Sequence, residues 1–233
     1  MDMRSCLLFS CVAALSAALT GCCLTDVRPV HPDSTGWADV FDKTLSNADM
    51  PAGSWGYDAD GWLTAKTGAT LLTKKDYGPI VVDTVYVMDK DANSGLFLYD
   101  TDHPKYKFEV QIMDDASGVF SKVEPYQRTG SVYGRCAASE IRSRPAGEEN
   151  RLTVWCERSR IRVAVNGKIV VDTNLDAYTN AEVNPDGTRI PSYHKGFPAL
   201  ATIARHGRIG LQGIHNTTAN VRFKYLRVKE LDR

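Results

Sequence analysis

Chemistry first offers itself on one strand. Tyr106 to Met113 (YKFEVQIM) alternates, with Phe108, Val110 and Ile112 facing one way and Lys107, Glu109 and Gln111 the other. Residues two apart on a strand share a face, so Glu109 and Gln111 project together, roughly 7 Å apart. A carboxylate beside an amide suits sugar hydroxyls, which both donate and accept hydrogen bonds. The same pair also fits a plain solvated strand face. Asn93-Ser94-Gly95 follows an acidic turn and reads either as turn chemistry or as part of a site. Asp114-Asp115 closes the Glu109 strand and could bind a cation or cap a turn. His215 ends the run GLQGIH, where loop residues reach a site. Glu109, Asp114 and His215 together could hold a divalent metal. No histidine pair has zinc-ligand spacing, and HExxH, GxSxG and P-loop patterns are missing, so no motif demands a cofactor.

The elements that must carry these residues are strands. Ile80 to Met88 is rich in β-branched residues, and Leu152 to Cys156, Ile161 to Val165, Arg208 to Gln212 and Val221 to Val228 read as strands too. Asn166-Gly167 between RIRVAV and KIVVD is a type I′ hairpin signal. Short helical turns are expected at Ala137 to Arg144 and Pro198 to Ala204. Neither long amphipathic helices nor repeats of 20–50 residues stand out. Many short strands separated by turns predict an all-β antiparallel sandwich or jelly roll, in one domain over residues 37–233.

The 233 residues carry 28 basic and 28 acidic side chains, a formal net charge of zero, which argues against a nucleic-acid partner. Cys6 to Leu19 is apolar or small, too short to span a membrane and suited to a signal peptide. It leads into Leu19-Thr20-Gly21-Cys22, which resembles a bacterial lipobox. The expectation is a lipoprotein signal peptide at 1–21, lipidation of Cys22 and a Pro-containing tether over 22–36. That places the protein in a bacterial cell envelope, periplasmic or outer-surface, held to the membrane by lipid. Of 6 cysteines, only Cys136 and Cys156 then remain in the domain, and an oxidising compartment would permit one bridge between them.

Several motifs, in order, resemble the 3-keto-disaccharide hydrolase family. They are the Trp-rich opening with Trp55 and Trp62, Leu72 to Tyr77 (LTKKDY), Ala92 to Gly95 (ANSG), Phe108 to Asp115 (FEVQIMDD), Thr129 to Gly134 (TGSVYG), Asn166-Gly167, and Gly207 to His215 (GRIGLQGIH). Asn184 to Gly187 with Ile190 to Ser192 looks like an insertion of one subgroup. The chain departs from the family pattern at three places. Val85 replaces a common Glu, Gly147 to Asn150 lacks a Trp, and Phe223 to Leu226 reads FKYL instead of FRNI. The resemblance implies a concanavalin/laminin-G-like β-sandwich and cleavage of glycosides oxidised to a ketone at C3. A base removes the acidified C2 proton, the glycosidic oxygen leaves C1 by β-elimination, and the resulting 3-keto-2-hydroxy-glucal can be hydrated. On this reading Glu109 and His215 supply base and acid, and Gln111, Asn93, Lys74 and Gln212 bind the sugar. The alternative class is a non-catalytic carbohydrate-binding surface lipoprotein, and a third is an adhesion lectin.

Overall fold

A computed structural model of the protein describes residues 35–232, apart from 102, 104, 106, 216 and 217. The signal segment 1–21, Cys22 and all but the last residues of the tether lie outside the described residues. The strands are β1 (Ala38–Asp39), β2 (Ala48–Asp49), β3 (Trp55–Tyr57), β4 (Leu63–Ala65), β5 (Leu71–Thr73), β6 (Ile80–Met88), β7 (Asn93–Asp100), β8 (Phe108–Met113), β9 (Asn150–Glu157), β10 (Arg160–Val165), β11 (Lys168–Asn174), β12 (Arg208–Leu211) and β13 (Val221–Glu230). Helix among the described residues is confined to short 3-10 turns. One of these, Leu200–Thr202, falls within the expected turn at 198–204. The turn expected at 137–144 is instead irregular chain, held by Ser139 N donating to Val170 O and Arg144 N to the Asn150 side chain.

All strand pairs are antiparallel and form two sheets. The larger runs β11-β10-β9-β6-β13-β4-β3 with β1 paired to β13, and the smaller runs β2-β5-β12-β7-β8. Their inner faces make one core. Ile80, Val82, Tyr86 and Met88 of β6 meet Leu96 and Leu98 of β7 and Phe108, Val110 and Ile112 of β8 there. The fold is the concanavalin-like antiparallel β-sandwich.

The larger sheet is buried on part of its outer face as well. Val81, Trp155 and Ala164 form a second apolar cluster. Beside it Asp83 is fully buried and takes Arg151 Nε and Nη2 at 2.9 and 3.0 Å, Thr153 Oγ1 at 2.7 Å and Arg227 Nε at 2.9 Å. Register explains this network, because Thr153 and Arg227 are the cross-strand partners of Asp83. Burial pushes the Asp83 carboxyl up, and these donors more than offset it, leaving the group below its ordinary value.

Cys136 and Cys156 are free thiols, not a bridge. Cys156 points from β9 into the core, whereas Cys136 lies by Thr173 and Tyr178 on the β11 side.

Candidate active site

The site grows from β8. Phe108, Val110 and Ile112 turn inward, so Glu109, Gln111 and Met113 occupy the outer face of the smaller sheet, beside Asn93, Gly95 and Phe97 of β7. Gln111 is 3% exposed, and its Nε2 donates to Asn93 Oδ1 at 3.0 Å. The Glu109 side chain folds across Gly95, where a Cβ would overlap its Oε1. A glycine at 95 is therefore what lets the carboxylate lie over β7.

The open edge of β8 is covered by a strap at residues 129–136. Gly130 N donates to Gln111 O, Gln111 N to Ser131 O and Tyr133 N to Glu109 O, and Val110 bridges Val132. This strap both blocks edge-to-edge pairing and sets Tyr133 beside Glu109. Gly134 follows with φ of 68°, and a Cβ there would stand 2.7 Å from the His194 ring. A hairpin at residues 182–190 docks on the same glycine through Asn184 Nδ2, which donates to Gly134 O at 3.2 Å. His194 packs on Tyr133, Tyr193 and Phe197, with ring centroids 5.7, 5.1 and 4.7 Å away.

These pieces enclose a cavity of about 210 Å³ lined by Phe97, Lys107, Glu109, Tyr133, Arg135 and His194 among others. Its electrostatics are set by desolvation. Burial raises the Glu109 carboxyl from 4.5 to about 8, with Lys107 pulling weakly the other way. Among the described residues no hydrogen bond or ion pair reaches that carboxyl. His194 is pushed down to about 4 by burial and by Arg135, so its imidazole is neutral. Arg135, 4% exposed, is lowered to about 10 by burial, and its Nη2 donates to Pro198 O at 3.2 Å. Of the five buried polar atoms left without a partner among the described residues, three sit around Gly134: Arg135 Nη1, Asn184 Oδ1 and His194 Nδ1. The other end of the polar face has a fourth, Gln212 Oε1.

The residues expected from sequence divide clearly. Glu109 lines the cavity, while Asn93, Gln111 and Gln212 lie further along the same outer face, with Gln212 N bonded to Gly95 O. Lys74 is elsewhere: it is exposed near the far edge of the sheet and its Nζ donates to Ser46 O at 2.7 Å. His215 is exposed and lines no described cavity. After β12 the chain is drawn towards residues 67–69, where Ile214 N donates to Thr67 O, on the opposite side from β7 and β8. The metal set Glu109, Asp114 and His215 does not assemble, and no group of three ligating residues exists among the described residues. Asp114 lies roughly 16 Å along the strand from Glu109, and its Oδ2 accepts from Asp91 N at 3.0 Å. Tyr133, Arg135 and His194 were not singled out in sequence. TGSVYG and the 184–192 insertion flagged their neighbourhood, but neither tells that the two segments meet.

The molecule is thus a two-sheet jelly roll with a small cavity on the outer face of its smaller sheet. The chain belongs to the family described as the 3-keto-alpha-glucoside-1,2-lyase-like domain, whose model matches residues 35–229. A crystal structure from Parabacteroides distasonis, provisionally assigned as a glycosyl hydrolase, is 30% identical with a TM-score of 0.78, over 84% of this chain and 99% of that one. A second provisional glycosyl hydrolase of the same organism is 20% identical with a TM-score of 0.65, covering 84% and 95%. The carbohydrate-binding module CBM66 of Bacillus subtilis shares the fold at 10% identity and a TM-score of 0.51, over 82% and 99%. No curated protein matches the chain.

The three departures from the family pattern meet one another on the larger sheet. Val85 pairs with Tyr225 and Arg151, and Lys224 Nζ lies 2.8 Å from Glu149 Oε1. None of them lines the cavity that holds Glu109.

Proposed function

We propose that the protein cleaves glycosides carrying a ketone at C3, by removal of the C2 proton and β-elimination of the C1 oxygen, and hydrates the resulting 3-keto-2-hydroxy-glucal. The observation that carries this reading is the Glu109 carboxyl, which lies in a sugar-scale cavity, lacks a partner among the described residues and is pushed by burial up to about 8. A group poised near neutrality can take a proton in one step and return it in the next. Ionised Glu109 accepts the C2 proton. The electron pair moves into the C3 ketone as an enolate, in the field of Lys107 and Arg135. When the enolate collapses, the C1–O bond breaks, and the acid now at Glu109 donates its proton to the departing oxygen. His194 is neutral and shapes the wall. Hydration runs the same proton through Glu109 in reverse, with water as the nucleophile at C1.

The test is product analysis with a synthetic 3-keto-glucoside. Turnover to the 3-keto sugar, lost in Glu109→Gln, supports the proposal. Retention of unreacted ligand by the wild type identifies a non-catalytic binder instead. We also propose that Cys22 is lipidated and tethers the domain in a bacterial envelope, on the strength of the LTGC sequence. Mass spectrometry of the mature N-terminus decides this, and an unmodified terminus refutes it.

A further inference from the structure

Arg135 places a positive charge in the wall of the Glu109 cavity. The residue is 4% exposed, and among the described residues no carboxylate lies within ion-pair distance of it. Lys107, by contrast, has a counter-charge, its Nζ standing 2.7 Å from Asp100 Oδ2. Glu109 is the only acidic residue lining the cavity. Lys107 is the cation that pulls on its carboxyl, whereas Arg135 acts on His194. The cavity therefore has a carboxyl end and a guanidinium end. Lys105 adds to the second, because its Nζ lies 5.8 Å from the centre of the Phe197 ring, which packs on His194.

A buried charge without a partner is strongly destabilising, so its retention calls for a reason. The strap does not supply one. Arg135 Nη2 donates to Pro198 O at 3.2 Å, a bond that a neutral amide could make, and Nη1 has no partner among the described residues. A sugar hydroxyl would give Nη1 an acceptor and leave the charge uncancelled. A carboxylate does both, through short charge-assisted bonds to the planar guanidinium. A phosphate is less suited, since it gathers several donors and Arg135 has one free nitrogen to offer. The Phe97, Phe108 and Tyr133 rings elsewhere in the wall suit the C–H face of a sugar.

We propose that the guanidinium end of the cavity binds a carboxylate carried by the ligand, so that the substrate is an acidic sugar or the glycoside of an acidic group. This deepens the catalytic reading and rests on it for which bond is cut, but the anion site itself is testable without chemistry.

The experiment measures binding by calorimetry with two matched pairs of unoxidised probes. Methyl glucuronide against methyl glucoside places the carboxylate on the ring. The para-carboxyphenyl glucoside against phenyl glucoside places it on the leaving group. In the wild type the acid of one pair should bind about tenfold or more tightly than its neutral partner, the worth of a charge-assisted hydrogen bond. The pair that does so identifies where the carboxylate sits. In Arg135→Gln, which can keep the bond to Pro198 O, that gap should shrink to about twofold or less. Arg135→Met gives the same reading should the glutamine variant not fold, and thermal melts check both. Preference for neither acid in the wild type, a gap that survives loss of the guanidinium, or binding of no probe overturns the proposal. Turnover of a 3-keto-glucoside and a 3-keto-glucuronide is followed separately. A gap with turnover of neither keeps the anion site and removes the lyase reading, and turnover with no gap does the reverse.

Discussion

Glu109 owes its properties to how it is packed. Gly95 leaves the space its carboxyl occupies, and burial against the cavity wall raises its pKa. Glu109→Gln should lower kcat/KM on a 3-keto-glycoside by about 10²–10⁴-fold, the usual share of general acid–base catalysis, as measured by product formation. Gly95→Ala should lose activity too, by displacing the carboxyl, although residue 95 carries no reactive group. In the wild type, kcat/KM should climb with pH and level off above about 8, as the base ionises. Lys105, Lys107, Tyr133, Arg135 and His194 face the same space, and an inflection at about 4 instead would hand the titration to another group. Stability moves oppositely. The folded pKa of about 8 lies above the unfolded value near 4.5, so this group's contribution is complete below pH 4.5 and is lost as pH rises through 8. Melting temperatures of Glu109→Gln should lack that decline. Sequence could reveal Glu109 and Gln111 because alternation along one strand assigns their face. Arg135 and His194 stayed hidden because only tertiary contact, the meeting of strap and hairpin at Gly134, gives them their place.

At the scale of elements, most strands were readable because period-2 alternation and β-branched runs are local signals. Phe108–Met113 and the Asn166-Gly167 turn, with φ of 49° and 86°, are where the patterns placed them. Two-residue strands such as β1 and β2 have no period to detect, and the 137–144 segment shows the limit of helix-favouring composition without a packing face. The larger sheet depends on Asp83, which joins β6, β9 and β13 through side chains. Asp83→Asn leaves Arg151 and Arg227 facing an amide and should destabilise by about 3–5 kcal/mol in urea unfolding, the range for breaking a buried ion pair. Because the folded Asp83 pKa is lowered, its contribution is present above the unfolded value of 3.8 and lost as pH falls below it. The substitution should therefore flatten the acid limb of the stability curve. It should leave the decline between pH 4.5 and about 8 attributed to Glu109 intact.

The whole molecule stands without a covalent staple among the described residues, its core spread over both sheets. Alkylation of the denatured, unreduced protein should label both Cys136 and Cys156, and the melting temperature should not respond to reductant. In the native state Cys156 should resist labelling, since it is wholly buried and burial raises its thiol pKa. The interleaving on β8 has a broader consequence. Glu109 alternates with Phe108 and Val110, so a slip of one residue would bury the carboxylate and expose the core together. A one-residue insertion or deletion in that strand would therefore cost the fold as well as the cavity. The 182–190 hairpin has no such double duty, since it is attached at its tip and exposed along its length. Changes of length and sequence should therefore be tolerated there far more readily than on β8.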